Sequence, residues 1–380
     1  MKKIYSIMLF ALGCLVMASC SDDSTNDITV NGLAVVSAKT SFSAAGGTDT
    51  IALAKPVIKA YAEDSWATVA SLGANVTVTA GLNTSRESRH TTVIVKSSEA
   101  DSTIIDVDQA GATLKIAAPA SIISNDDSKT LSYAASSTLP MTITADSSWI
   151  VPSFDSDSVY VKLGANNEGH LRSGHIFISA GSFKDTINVK QEEFAKDIAG
   201  TYAILDTYNS TDDNLIYQTA YLRDDNGQKN FVFPTLNLKL PITWSDDDMS
   251  VTINGGSLLG TINDGNSVDY VYSVLWDVKQ GYLTWSSQIS YAASLEYDAN
   301  DGITYGMFAD NGSWAGYNVS ALRFELFSTN PPSSSGRVGK AVVSLEYPEL
   351  LRLSSDISTN SSKQEIKAKE NRVSAYISRK

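Results

Sequence analysis

From residue 30 to about residue 193, apolar and polar residues alternate in short runs, and the runs end at clusters of Gly, Asn, Asp and Ser. Val76-Thr77-Val78, Val159-Tyr160-Val161 and Ile104-Ile105-Asp106-Val107-Asp108-Gln109 are of this kind. A period of two places every second side chain on one face, so these runs predict half-buried β-strands joined by tight turns. The pattern continues beyond Phe194. Val268, Tyr270, Tyr272, Val274, Trp276 and Val278 alternate strictly with a mixed set, Asp269, Val271, Ser273, Leu275 and Asp277. The alternation assigns Trp276 to a core. Leu322, Phe324 and Leu326 alternate in the same way with Arg323 and Glu325. The dipeptides Asn226-Gly227, Asn254-Gly255, Asp264-Gly265, Asp301-Gly302 and Asn311-Gly312 are pairs that tight hairpins favour, because the backbone there takes positive φ. Long helical patterns are missing until the C-terminal tail, and the fold class expected is all-β.

The alternating runs of the first half occur twice. Trp66 and Trp149 are 83 residues apart, as are Asn83 and Asn166, and Arg89 and Arg172, while Gln109 and Gln191 are 82 apart. Four positions at one offset mark an internal duplication. Each copy reads as a small Ig-like β-sandwich, the first over residues 30–111 and the second over 112–193. A residue type repeated at one place in both copies is most simply architectural. Trp66 and Trp149 are expected to pack into their sandwiches, Arg89 and Arg172 to pair with a carboxylate or cap carbonyls, and Asn83 and Asn166 to shape turns. A Gly-Gly turn (Gly46-Gly47), a Trp before a turn, an Asn before an Arg and a closing Val-x-Gln strand together resemble the BACON domain, an Ig-like sandwich of surface and secreted proteins of Bacteroidota. The second copy lacks the Gly-Gly turn. The resemblance implies carbohydrate binding or a spacer role, and we read the pair as a spacer.

Residues 194–348 form the next expected domain, an antiparallel meander of about eight to ten strands that closes as a barrel or folds as a jelly-roll or similar sandwich. Its opening, Ile198-Ala199-Gly200-Thr201-Tyr202, resembles the start of lipocalin-like barrels, in which the aromatic plugs the floor. Four of the chain's Trp residues fall in this region. Trp244 precedes the acidic run Asp246-Asp247-Asp248, and Trp314 and Tyr317 follow the Asn311-Gly312 turn. Loop aromatics among Asn, Asp and Ser can stack on a sugar ring and hydrogen-bond its hydroxyls, so Trp244, Trp314 and Tyr317 are the candidate ligand-binding residues. The Asp run lacks calcium-loop spacing and reads as a solvated turn. A polar tail is expected over 349–380.

The N-terminus changes the picture of where the protein works. Lys2 and Lys3, an apolar run from Ile4 to Met17 and the small residues before Cys20 describe a secretory signal over 1–19. Met17-Ala18-Ser19-Cys20 resembles a bacterial lipobox, which implies lipidation at Cys20, with residues 20–29 as a tether. Acidic residues behind the Cys resemble the signal for outer-membrane export to the cell surface in the Bacteroides group. The net charge of −13 argues against nucleic acid as a partner. The chain has two Cys and three His, which leaves little for a disulfide or a transition-metal site, and no metal or other cofactor is expected. No nucleophile elbow, zincin helix or phosphate loop is visible, and the expectation is a non-catalytic protein. The partners expected are a glycan, the lipid anchor's membrane and a possible surface protein complex. Binding of another protein, or of a small apolar ligand inside a barrel, are the alternatives.

Overall fold

The computed structural model describes residues 33–356 apart from 212, 213, 264 and 266. Cys20, the signal segment and the tether lie outside the described residues. The described residues divide into two compact units: 33–82 together with Arg89–Ala110, and Asn83–Ser88 together with 111–356.

The first unit is a sandwich of two four-stranded sheets. One runs in the order Val35–Ser37, Gly47–Leu53, Asn75–Ala80, Ala67–Leu72; the other runs Ser41–Phe42, Ser102–Gln109, Arg89–Lys96, Lys59–Ala62. Pairing is antiparallel except at Ser41–Phe42, which lies parallel to Ser102–Gln109. Ile51, Val76, Val78, Val93, Val95 and Val107 fill the space between the sheets.

The second unit begins with the same architecture. One sheet runs Ser121–Ser124, Phe183–Gln191, Arg172–Ala180, Thr142–Ala145, and the other Ile150–Phe154, Ser158–Leu163, Lys129–Ser137, Leu114–Ile116. Again the second strand, here Ser121–Ser124, is the parallel one. Val159, Val161, Ile176, Ile178 and Val189 stand where the first copy has Val76, Val78, Val93, Val95 and Val107. Around the Gly-Gly turn the two copies have the same length: Ile51 pairs with Val76 and Tyr133 with Val159, an offset of 82 from Ile51 to Tyr133, and Phe42 and Ser124 pair with Gln109 and Gln191 at that same offset. In the first copy Gly46, at φ 76°, sits where a Cβ would meet the Ala80 carbonyl at 2.3 Å; the second copy takes another turn there and needs no such glycine.

A single π turn, Phe194–Ile198, leads into the C-terminal domain. There a ten-stranded sheet that nearly closes as a barrel runs Leu238–Pro241, Gln228–Phe233, Tyr217–Asp225, Gly200–Leu205, Glu349–Ser354, Ile303–Asp310, Ser290–Ser294, Ser250–Asn254, Thr243–Ser245, with Glu296–Asp298 also on Ile303–Asp310. A five-stranded sheet runs Leu258–Asn263, Val268–Asp277, Ala321–Phe327, Arg337–Glu346, with Tyr282–Thr284 on Val268–Asp277. Both sheets contribute to one core that includes Tyr202, Phe231, Phe233, Tyr291 and Phe324. Tyr202 is fully buried, donates to the Ile198 carbonyl at 2.6 Å and sets its ring edge-on to Phe231. The Asn226-Gly227 pair makes the expected hairpin, with Asp225 opposite Gln228 and φ of 57° and 93° at the two turn residues.

Two sequence expectations are corrected here. Glu349–Ser354 is not the start of a polar tail: it is a strand between Gly200–Leu205 and Ile303–Asp310, and Leu350, Leu351 and Leu353 are buried. Trp276 is not a core residue. Its ring is half-buried, and the Arg323 guanidinium lies over it at 5.0 Å. The strand Val268–Asp277 is covered on both faces. Val271 and Leu275, from the mixed set, face the main core, while Tyr270, Tyr272 and Val274 join Phe327, Leu283 and Trp285 in a satellite cluster.

Candidate functional site

The four repeated residue types build one constellation in each sandwich. In the first, Arg89 Nε donates to Gln109 Oε1 at 2.8 Å, its Nη2 to the Gly81 and Leu82 carbonyls, and its guanidinium lies 4.5 Å over the Trp66 ring. Gln109, fully buried, donates through Nε2 to the Gly81 carbonyl at 2.8 Å and the Ser43 carbonyl at 3.0 Å. In the second, Arg172 Nε and Nη2 donate to Gln191 Oε1 at 3.0 and 2.8 Å, Nη2 also to the Gly164 carbonyl, and the guanidinium lies 4.4 Å over Trp149. Gln191 Nε2 donates to the Asn125 carbonyl at 2.8 Å and the Gly164 carbonyl at 3.2 Å. Asn83 and Asn166 close their turns by donating to the carbonyls of Glu87 and His170. Every polar atom of the Arg–Gln pair that points inward has a backbone or side-chain partner, and each Trp is half-buried under its Arg. This is scaffolding, and it leaves neither indole as a free platform.

Of the three candidate ligand residues, two come together and one does not. Trp314 and Tyr317 are 4.7 Å apart between ring centroids, at 34°. Tyr317 meets Tyr282 edge-on at 5.0 Å, and Tyr282 is 54% exposed. Tyr282 was missed in the sequence because it opens a three-residue strand after the Gln280-Gly281 turn, with no alternation to mark it. Trp244 is elsewhere. Its indole donates to Asp246 Oδ1 at 2.6 Å, its ring meets Phe194 at 5.9 Å, and it packs on the domain core beside the end of the second sandwich. The Asp246–Asp248 turn is exposed, and Asp248 is hydrogen-bonded to Ser245. Among the described residues no three of His, Cys, Asp and Glu are grouped as a metal ion requires.

The loop that carries Trp314 and Tyr317 is pinned along its length. Asp310 accepts from the Gly312 and Val319 amides, and Asp277 accepts from the Asn318 and Gln280 amides. Asn311 and Ser313 both bond to Ser290, and Gln280 Nε2 donates to the Gly316 carbonyl at 3.1 Å. Burial alone would push the Asp277 carboxyl up, but the amides of Asn318 and Gln280 outweigh it and hold the group below its ordinary range. The same two turns border a cleft of about 540 Å³. Lys279, Gln280, Asp310, Asn318, Tyr291 and Tyr347 are among its lining residues. Burial pushes the Tyr291 phenol well above its usual range, so it stays a neutral donor. Ring faces beside a cleft lined by amide, phenol and ammonium groups suit a polar ligand that also has apolar faces.

Residues 136–192 match the BACON family, described as "Putative binding domain, N-terminal". The matched segment holds Trp149, Asn166, Arg172 and Gln191, and the first sandwich carries the same network in the same strand order. The chain is thus an all-β protein that contains a BACON domain. No curated protein matches it. Among solved structures it is similar to a Bacteroides ovatus GH5 xyloglucanase in complex with an XXXG heptasaccharide, at 21% identity over 21% of this chain, with a TM-score of 0.20; it spans only 18% of that enzyme. It is also similar to the I9–I11 tandem of titin, at 8% identity over 63% of this chain and 94% of the other, with a TM-score of 0.32. The titin I67–I69 variant covers 72% of this chain and 91% of its own at 9% identity, with a TM-score of 0.24.

Proposed function

We propose that this protein is a non-catalytic, lipid-anchored surface protein whose C-terminal domain binds a carbohydrate. The observation that carries the reading is the Trp314–Tyr317–Tyr282 aromatic group, held by a hydrogen-bonded loop beside the cleft of Lys279, Gln280 and Asn318. A pinned loop loses little conformational freedom on binding, which favours it over a mobile one as a recognition surface. The domain interior is filled by Tyr202, Phe231, Phe233 and Phe324, so the cleft, and not the interior, is assigned the ligand. The sandwiches act as a spacer between the anchor and this domain.

The test is titration of the intact mature protein with a panel of plant polysaccharides and mucin glycans, beside Trp314→Ala and Tyr317→Ala. Saturable binding is expected, weakened about thirtyfold in each variant, as loss of a contact worth about 2 kcal/mol implies. Undiminished binding in both variants would reject this site. Silence across the panel, with capture of a surface protein instead, would favour the protein-partner reading. Separately, Cys20→Ala is expected to move the protein from the membrane fraction to the soluble fraction of its host. Retention of the variant in the membrane would remove the anchor.

A further inference from the structure

The segment Glu192–Ile198 joins the second sandwich to the C-terminal domain, and buried carboxyl groups surround it. Asp197 is wholly buried. Its Oδ2 accepts from the Glu193 amide at 2.8 Å and lies 3.5 Å from Asn166 Nδ2, which also reaches Asp126 Oδ1 at 3.2 Å. Its Oδ1 is buried with no hydrogen-bond donor on it, and the Asp126 carboxyl shares the Asn166 amide with it. Glu192, at 7% exposure, repeats the arrangement. Its Oε2 has no donor, and burial first, then the Asp246 carboxyl of the acidic turn, disfavour its charged form. Two neighbouring carboxylates offer acceptors and no donor, and the donor that fits between them is a proton.

We propose that this joint is a proton-operated latch: the pairs Asp126–Asp197 and Glu192–Asp246 hold the C-terminal domain docked on the second sandwich while each pair shares a proton, and loosen it when both members of a pair are charged.

The other charges around the joint do not replace that proton. Lys196 Nζ is 3.9 Å from Asp126 Oδ2, but it is exposed and bonded to Glu193. Arg352 acts on Asp197 only through its field, since its hydrogen bonds go to the carbonyls of Gly169, Lys196 and Ala199. Arg172 adds a weaker field and is itself paired with Glu168, while Asp127 is a further negative charge nearby. At the other pair Lys190 donates to the Asp247 carbonyl, Lys229 lies over the Phe194 ring, and Asp247, Asp248 and Asp197 add negative charge. Burial first, then the facing carboxyl, pushes Glu192 up to about 7; burial, opposed in part by the Glu193 amide and reinforced by Asp126, does the same for Asp197. Both groups bind protons more tightly docked than free. The latch is therefore at full strength below the free carboxylate range near 4, weakens as pH rises, and is weakest above about 7.

The experiment is amide hydrogen exchange of Lys196, Asp197 and Ala199, whose N–H groups close the turn, in the intact mature protein from pH 5 to 8 with intrinsic rates divided out. Protection is expected to fall by up to about tenfold per pH unit for each titrating pair and to level off above about pH 7. The Asp197→Asn, Glu192→Gln double variant, which supplies an N–H in place of each shared proton, is expected to keep the turn protected across the range. A flat wild-type profile, or a double variant with the wild-type slope, would overturn the latch. Should that variant not fold, the wild-type profile decides alone, with Glu192→Gln expected to remove about half of the slope. Restoration of protection at pH 8 by millimolar calcium would assign the pairs to a cation and equally overturn the proton.

Discussion

Replacing Gln191 by Leu is expected to destabilise the second unit by about 3 kcal/mol or more, with little change in side-chain volume. Gln191 is fully buried and stands at the centre of five hydrogen bonds. Leucine would leave Arg172 Nε without its acceptor and the Asn125 carbonyl with Ser124 Oγ as its remaining donor, and a buried unsatisfied group costs about 1–3 kcal/mol. The Trp149 ring would keep its guanidinium, but the guanidinium would lose the anchor that aims it. Gln109→Leu removes the matching bonds to Ser43, Gly81 and Arg89 and should cost a similar amount in the first unit. Urea unfolding followed by circular dichroism, with the two units as separate transitions, checks both. Each variant should lower one midpoint and leave the other in place. Losses under about 0.5 kcal/mol in both would show that the repeated network is not what holds the sandwiches.

The duplication was legible because its carriers interact in one local pattern. Arg and Gln occupy adjacent strands, the Trp lies under the Arg, and the Asn closes the turn before the Arg strand, so all four recur together. The alternating Val and Ile positions were legible for the same reason: one face of each sheet is buried, and period two then maps straight onto inside and outside. That mapping fails at Val268–Asp277, where both faces are covered. Aromatic alternation there pointed to the main core when the smaller, mixed residues face it. Glu349-Leu350-Leu351-Arg352-Leu353 was opaque because its two charged residues are both buried, and their partners are brought there only by the fold.

The candidate site divides along the same line. Trp314 and Tyr317 belong to one short loop, so proximity in sequence gave proximity in space. Trp244 shares with them only a place beside a polar, acidic turn, and its ring neighbour, Phe194, lies fifty residues away in the chain. The carboxyl pairs of the joint were invisible for that reason as well. An isolated Asp or Glu in a turn reads as solvated, and only packing reveals that Asp197 and Glu192 have no water to face.

Replacing Arg352 by Met should release the joint and cost about 3 kcal/mol. The side chain is 7% exposed and donates to Gly169 at 2.7 Å, to Lys196 at 2.7 Å, and to Ala199 through both Nε and Nη2. One residue of the strand Glu349–Ser354 thus ties the C-terminal domain to the π turn and to a loop of the second sandwich. Methionine can occupy the channel of the aliphatic stem but offers no donor, leaving backbone acceptors at three residues to find water or remain unpaired. A second effect separates this mechanism from general loss of packing. Arg352 is the positive charge that lowers the Asp197 carboxyl, so its removal makes that group harder to ionise and should move the midpoint of the turn's pH-dependent exchange upward. Lys at 352 keeps the charge with a single ammonium in place of the planar fork, and should recover the midpoint more fully than the stability. Measuring both quantities on both variants decides the case: a Met variant with lowered stability and an unmoved midpoint would show that Arg352 holds the joint by its hydrogen bonds alone.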